Sequence, residues 1–185
     1  GFRCFRASLL IAGLSLLVAC GASWRQREAD RLHLGDAPFA AMRPMIESGR
    51  AAEARTALDS LAEPLKRKPA WAYLSGRARL AEGNAAGAVK DLERARDAAG
   101  GSMLVENDLG AALAKAGRAR DAATLYQRLV AAEPEDRDLA LNLAAARMAA
   151  GQTVEAQRGF ARLAKDRPDW FEARYNLGLA ALANH

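Results

Sequence analysis

A 34-residue rhythm constrains this chain more than any other feature of its sequence. Gly117 and Gly151 stand 34 residues apart, and the same step relates Ala122 to Ala156, Tyr126 to Phe160, Leu109 to Leu143 and Pro134 to Pro168. Carried backwards it reaches Gly83 with Ala88 and Gly49 with Ala54; carried forwards, Leu177-Gly178 answers Leu109-Gly110. A unit of this size cannot bury its own apolar face and must stack on its neighbours as a solenoid.

The residue types within a unit read as two packed helices. Leu109, Gly110 and Ala112 share the first helix, and Gly117 ends it, since glycine takes the left-handed conformation without a Cβ clash. After Arg118-Ala119-Arg120-Asp121, Ala122, Leu125, Tyr126 and Leu129 recur at three- and four-residue spacing on a second helix. Pro134 stops that helix and disfavours helix at Glu133. Small residues at Gly110 and Ala122 let the backbones approach, and Tyr126 and Leu129 fill the volume between units.

These residues resemble the tetratricopeptide repeat. Leu109, Gly110, Gly117, Ala122, Tyr126, Leu129 and Pro134 fall at the family's spacing, as do Leu143, Ala144, Gly151, Ala156, Phe160, Leu163 and Pro168. The copy before keeps Gly76, Gly83, Ala88, Leu92 and Ala95, but Trp71 falls one place early and Gly100 replaces the closing proline. The first copy keeps Gly49, Ala54, Leu58 and Leu61 but carries Pro44 inside its first helix. The resemblance implies an all-α, right-handed superhelical solenoid over residues 35–185. Helix pairs are expected at about 35–68, 69–102, 103–136 and 137–170, with a partial fifth repeat at 171–185.

In the family the first helix of each pair, helix A, lines a concave groove. With repeat starts at 69, 103, 137 and 171, the resemblance places Tyr73, Arg77, Asn107, Asp108, Lys115, Leu141, Asn142, Met148, Tyr175 and Asn176 in that groove. Asp108, Asn142 and Asn176, one repeat apart, would form a polar ladder. Amides there both donate to and accept from the backbone of an extended peptide. Tyr73, Leu141, Met148 and Tyr175 would supply apolar contact. Ala111 and Asp138 stand where the family's clamp for a C-terminal carboxylate needs polar and basic groups, so a chaperone-tail receptor is not expected.

The N-terminal residues differ from the repeats. Arg3 and Arg6 precede the uncharged run Ala7 to Ala22, whose 16 residues fall short of the roughly 20 that span a bilayer. The run ends in Leu17-Val18-Ala19-Cys20-Gly21, which resembles a bacterial lipobox. The resemblance implies a signal peptide over 1–19 and lipidation of Cys20 as the first mature residue. Gly21, where inner-membrane retention uses Asp, points to the periplasmic face of the outer membrane. Residues 20–34 then read as a lipidated tether, with Trp24 either an anchor at the headgroups or a linker aromatic.

Composition narrows the function classes. The formal charge is +5; without Arg3 and Arg6, 25 Lys and Arg face 22 Asp and Glu, leaving +3. Charges alternate along the helices, and Lys66-Arg67-Lys68 is the only basic cluster, so a nucleic-acid surface is not expected. The cysteines, Cys4 and Cys20, give no disulfide framework or metal spacing. His33 and His185 have no credible catalytic partner, and the repeat turns account for the glycines, so no enzyme, cofactor, metal or small-molecule substrate is expected.

What remains is recognition of a protein. The combination of repeats and lipobox resembles the tetratricopeptide lipoproteins of pilus and secretion machinery, of the TadD type in tight-adherence (Flp) pilus assembly and the secretin pilotins. That resemblance implies a secretin or assembly subunit as partner, captured in the groove or at an end face. A scaffold for peptidoglycan synthases and hydrolases is the alternative. Trp170, Phe171, Tyr175, Leu177 and Leu179 begin a helix A without a following helix B, leaving an apolar end either as a cap or for a partner.

Overall fold

The computed structural model describes residues 23–184. Among them are eleven α-helices and no strand: α1 (Trp24–Arg31), α2 (Met42–Glu47), α3 (Ala51–Asp59), α4 (Glu63–Lys66), α5 (Pro69–Ala81), α6 (Ala85–Ala98), α7 (Met103–Lys115), α8 (Ala119–Ala132), α9 (Arg137–Ala149), α10 (Thr153–Asp166) and α11 (Phe171–Leu182). Helices α2, α5, α7, α9 and α11 take the A position and α3, α6, α8 and α10 the B position. Each of these A and B helices packs on the next, and every A helix also touches the A helix of the following repeat, so the A helices form one continuous layer.

The turns repeat as closely as the sequence does. Gly49, Gly83, Gly117 and Gly151 have φ of +82°, +82°, +80° and +80°. The next residue's N–H returns to the carbonyl five residues earlier in each case: Arg50 to Met45, Asn84 to Arg79, Arg118 to Leu113 and Gln152 to Arg147, at 2.8–2.9 Å. This is the six-to-one bond of a Schellman end, which satisfies carbonyls that the helix leaves unpaired. Between repeats, Glu133 and Arg167, each before a proline, leave the helical region. Where the second repeat lacks that proline, Gly100 and Gly101 make the turn with φ of +64° and +82°.

Packing follows the same period. Ala54, Ala88, Ala122 and Ala156 are fully buried on successive B helices, and Leu58, Leu92, Tyr126 and Phe160 one turn later fill the space against the A helices. A Cβ added to Gly76 would lie 2.6 Å from Leu92 Cγ, and one on Gly110 would lie 2.7 Å from Tyr126 Cζ. In the fourth repeat the small residue changes sides. Ala144 stands on helix A, and a Cβ on Gly159 of helix B would lie 3.0 Å from the Ala144 Cβ.

The first repeat is the least regular. A 3-10 turn at Phe39–Ala41 leads into the short α2, and Pro44 sits in its first turn, where a missing N–H leaves no helical bond unmade. Trp71 is displaced for a reason the repeat pattern does not contain. Its indole N–H donates to the Leu58 carbonyl at 2.8 Å, which ties α5 to the end of α3, and Arg94 lies over its ring at 5.2 Å.

The segment read as a tether is a correction. Residues 1–22, including Cys20, lie outside the described residues, but 24–31 are helical and packed rather than extended. Ser23 caps α1 by accepting from the Gln26 N–H, and Trp24, Ala29, Leu32 and Leu34 are buried in the main core. Trp24 is only 7% exposed, so in this fold it is neither a headgroup anchor nor a loose linker aromatic.

Candidate peptide-binding groove

The A-helix layer carries a polar strip that crosses four repeats. Arg43 of α2 donates to Glu47 at 2.8 Å, and Arg77 of α5 pairs with Glu47 at 3.5 Å and with Asp108 of α7 at 3.4 Å. Tyr73 donates its hydroxyl to Asp108 Oδ2 at 2.8 Å. Asn107 donates to Asp108 Oδ1 at 3.2 Å and accepts from Asn142 Nδ2 of α9 at 3.3 Å. From behind, Tyr126 of α8 donates to the Asn107 carbonyl at 2.9 Å, which fixes the backbone on which the strip is mounted.

Burial sets the electrostatics. Desolvation raises the Asp108 carboxyl above its ordinary value, while Arg77 and the hydrogen bonds from Tyr73 and Asn107 pull it down less strongly. Burial, followed by the charge of Asp108, pushes the Tyr73 phenol well up, so the phenol stays neutral and remains a donor. Asp108 therefore has its lone pairs engaged from within. The side chains with hydrogen-bonding capacity left for a visitor are Arg77, within the strip, and Asn142, at its end.

The predicted set thus divides. Arg77, Asn107, Asp108 and Asn142 come together, but Asp108 reaches Asn142 only through Asn107. Asn176 does not join the ladder; its Nδ2 donates to the Glu172 carbonyl of its own helix at 2.8 Å. Tyr73 is 1% exposed, so its ring belongs to the core and cannot contact a ligand; only its hydroxyl serves the strip. Leu141 and Met148 pack on the small cluster of Ala144, Ala156, Phe160 and Ala180. Lys115 is exposed at the end of α7. Tyr175, 56% exposed, lies against Phe171 with ring centroids 5.8 Å apart at 17°, on an outward face of α11 that also exposes Leu179 and Leu182.

The sequence reading missed what borders the strip. Asp136, the N-cap of α9, accepts from Leu139 N–H at 3.0 Å, from the Trp24 indole at 2.6 Å and from Arg25 at 2.7 Å. Arg25 also reaches Asp138, one turn before Asn142 on α9, at 3.4 Å. The signal was present: Ser23 followed by Gln26 is a capping pair, and Trp24, Ala29 and Leu32 fall on one helical face.

Desolvation alone would raise the Asp136 carboxyl, but the hydrogen bonds from Arg25, Leu139 and Trp24 together outweigh it and hold the carboxyl below its ordinary value. A depressed acid adds stability above its unfolded value and loses it as pH falls through the folded one. We predict that the Trp24 indole N–H resonance keeps its docked position at neutral pH and moves to a free position only in acid, below the pH at which an ordinary Asp carboxyl takes up its proton. Asp136→Asn, which keeps the cap, should remove that acid transition.

Residues 113–182 match the tetratricopeptide repeat family. No curated protein sequence matches the chain. Solved structures of MamA are similar in fold. The MSR-1 protein is 19% identical, with 83% of this chain and 84% of that one covered and a TM-score of 0.65. An RS-1 MamA double mutant is 18% identical, with 88% and 86% covered and a TM-score of 0.68. A Podosopora anserina protein with nearly identical TPR-like repeats is 19% identical, with 88% and 89% covered and a TM-score of 0.64. At such identities the likeness is one of architecture. Repeat match and architecture agree: the described residues form a solenoid of helix pairs, and residues 113–182 of it match the tetratricopeptide repeat.

Proposed function

We propose that this protein is a lipid-anchored, non-catalytic adaptor that holds a protein partner along its A-helix groove during assembly of a pilus or secretion apparatus. The observation that carries the recognition half is the strip from Glu47 through Arg77, Asp108 and Asn107 to Asn142. It is continuous across repeats and rigidly mounted, and it keeps bonding capacity to spare at Arg77 and Asn142. Such a surface suits an extended segment, whose backbone repeats its own donors and acceptors. The membrane half rests on the sequence alone. Arg3, Arg6, the apolar run and the Leu17–Cys20 lipobox support acylation of Cys20 and an outer-membrane address. The pathway is taken from the resemblance to tight-adherence pilus lipoproteins of the TadD type and to pilotins, and is analogy.

Capture from detergent-solubilised membranes tests both halves. Asn142→Ala should lower recovery of the partner about tenfold, the effect of one lost hydrogen bond of about 1.4 kcal/mol, while leaving the helical signal unchanged. Cys20→Ala should move the protein from the membrane to the soluble fraction. Full recovery with Asn142→Ala rejects the groove, and a membrane-bound Cys20→Ala rejects the anchor. Wall synthases or hydrolases in the eluate, in place of a secretin or pilus subunit, would reassign the pathway to a cell-wall scaffold.

A further inference from the structure

Helix α1 precedes the first repeat in sequence but does not cap it. It folds back and lies across the N-terminal ends of α7 and α9, helices of the third and fourth repeats, with Trp24 and Asp136 separated by 112 residues. At one end Arg25 stacks over the Trp24 ring at 4.4 Å, and both donate to the Asp136 carboxylate. At the other, Arg31 donates to the Ala99 and Gly101 carbonyls at the α6–α7 turn. The contact is incompletely satisfied: Glu28 Oε2 is buried with no hydrogen bond, in a long 3.8 Å ion pair with Arg31 of its own helix, and the hydroxyl of Ser102, the residue after Gly101, is buried without a hydrogen-bond partner. A buried polar group left without a partner, as at Ser102, costs about 1–3 kcal/mol.

We infer that α1 is a displaceable occupant of the groove's rim, and that the partner enters the same place with an aromatic side chain followed by arginine. The inference rests on the groove reading above and names the chemistry of the segment that the groove takes. Docked, α1 covers the Asp136 carboxylate and pairs with the more open Asp138; released, it frees both carboxylates at the start of α9. The adaptor would then be restrained until a partner with a better-satisfied helix or strand displaces α1.

The probe is a fluorescein-labelled synthetic peptide of residues 23–36, titrated into the full chain. Wild type should bind it weakly, because its own α1 holds the rim. The double substitution Trp24→Ala with Arg25→Glu should speed amide exchange of residues 26–32 and bind the peptide about tenfold more tightly, a change of about 1.4 kcal/mol. Adding Asp136→Asn and Asp138→Asn, which preserve the α9 cap, should remove that gain. Equal peptide affinity for the wild type and the double variant overturns the inference, as do residues 26–32 that stay protected in the variant. Failure here with Asn142→Ala still weakening partner capture would reject the latch and leave the groove standing. Peptide binding as expected, with capture indifferent to Asn142, would reject the groove reading and with it the partner named here.

Discussion

Alanine at Gly110 should destabilise the protein, and alanine at the equivalent Gly178 should stabilise it. At Gly110 the new Cβ would lie 2.7, 2.8 and 3.1 Å from three atoms of the Tyr126 ring. That ring is 3% exposed and its hydroxyl is tied to the Asn107 carbonyl, so it cannot retreat. Overpacking of this kind costs about 1–3 kcal/mol, against roughly 1 kcal/mol gained in helix propensity. A net loss of about 1 kcal/mol lowers Tm by about 2–4 °C in a domain of this size. At Gly178 nothing lies within 4 Å, so only the propensity gain acts and Tm should rise by about 2 °C. Thermal melts of the two variants followed by circular dichroism decide it. Equal shifts of the same sign would mean that the A and B helices do not meet as described.

Phe160→Ala should be the most damaging single change, and its damage should be local. Phe160 is the one large side chain fully buried in the cluster that joins α9, α10 and α11; its companions are Ala144, Ala156 and Ala180. Truncating such a residue costs about 3–5 kcal/mol. Because each repeat touches only its neighbours, the loss should fall on α10 and α11 while α5 to α8 remain folded. Hydrogen exchange should show the amides of 153–182 losing most of their protection and those of 69–132 keeping theirs. Uniform loss of protection along the chain would contradict a stack with nearest-neighbour energetics.

The fold was legible because every repeat writes the same physical requirement with the same residue types. Glycine at 49, 83, 117 and 151 is needed for φ near +80°, and alanine at 54, 88, 122 and 156 for close backbone approach. The groove was only partly legible. Spacing puts Asn107, Asp108 and Asn142 on one layer, but whether neighbouring amides meet depends on rotamers that no period specifies. So Asn107 became the bridge, and Asn176 turned back to Glu172. Tyr73 was misplaced because its position faces the layer while its ring is long enough to enter the core and leave only its hydroxyl at Asp108. The docking of α1 was the least legible feature. Its anchor, Asp136, lies more than a hundred residues away and reads in sequence only as part of an acidic turn.

The claim on which this account stands is that the partner lies along the A helices and not on the outer surface of the stack. Site-specific photo-crosslinking in intact cells tests it, with the reactive residue placed at position 142 of α9 or at position 158, an exposed arginine on α10. The account predicts a discrete adduct from position 142 and none from position 158. An adduct from position 158 with none from position 142 would contradict it.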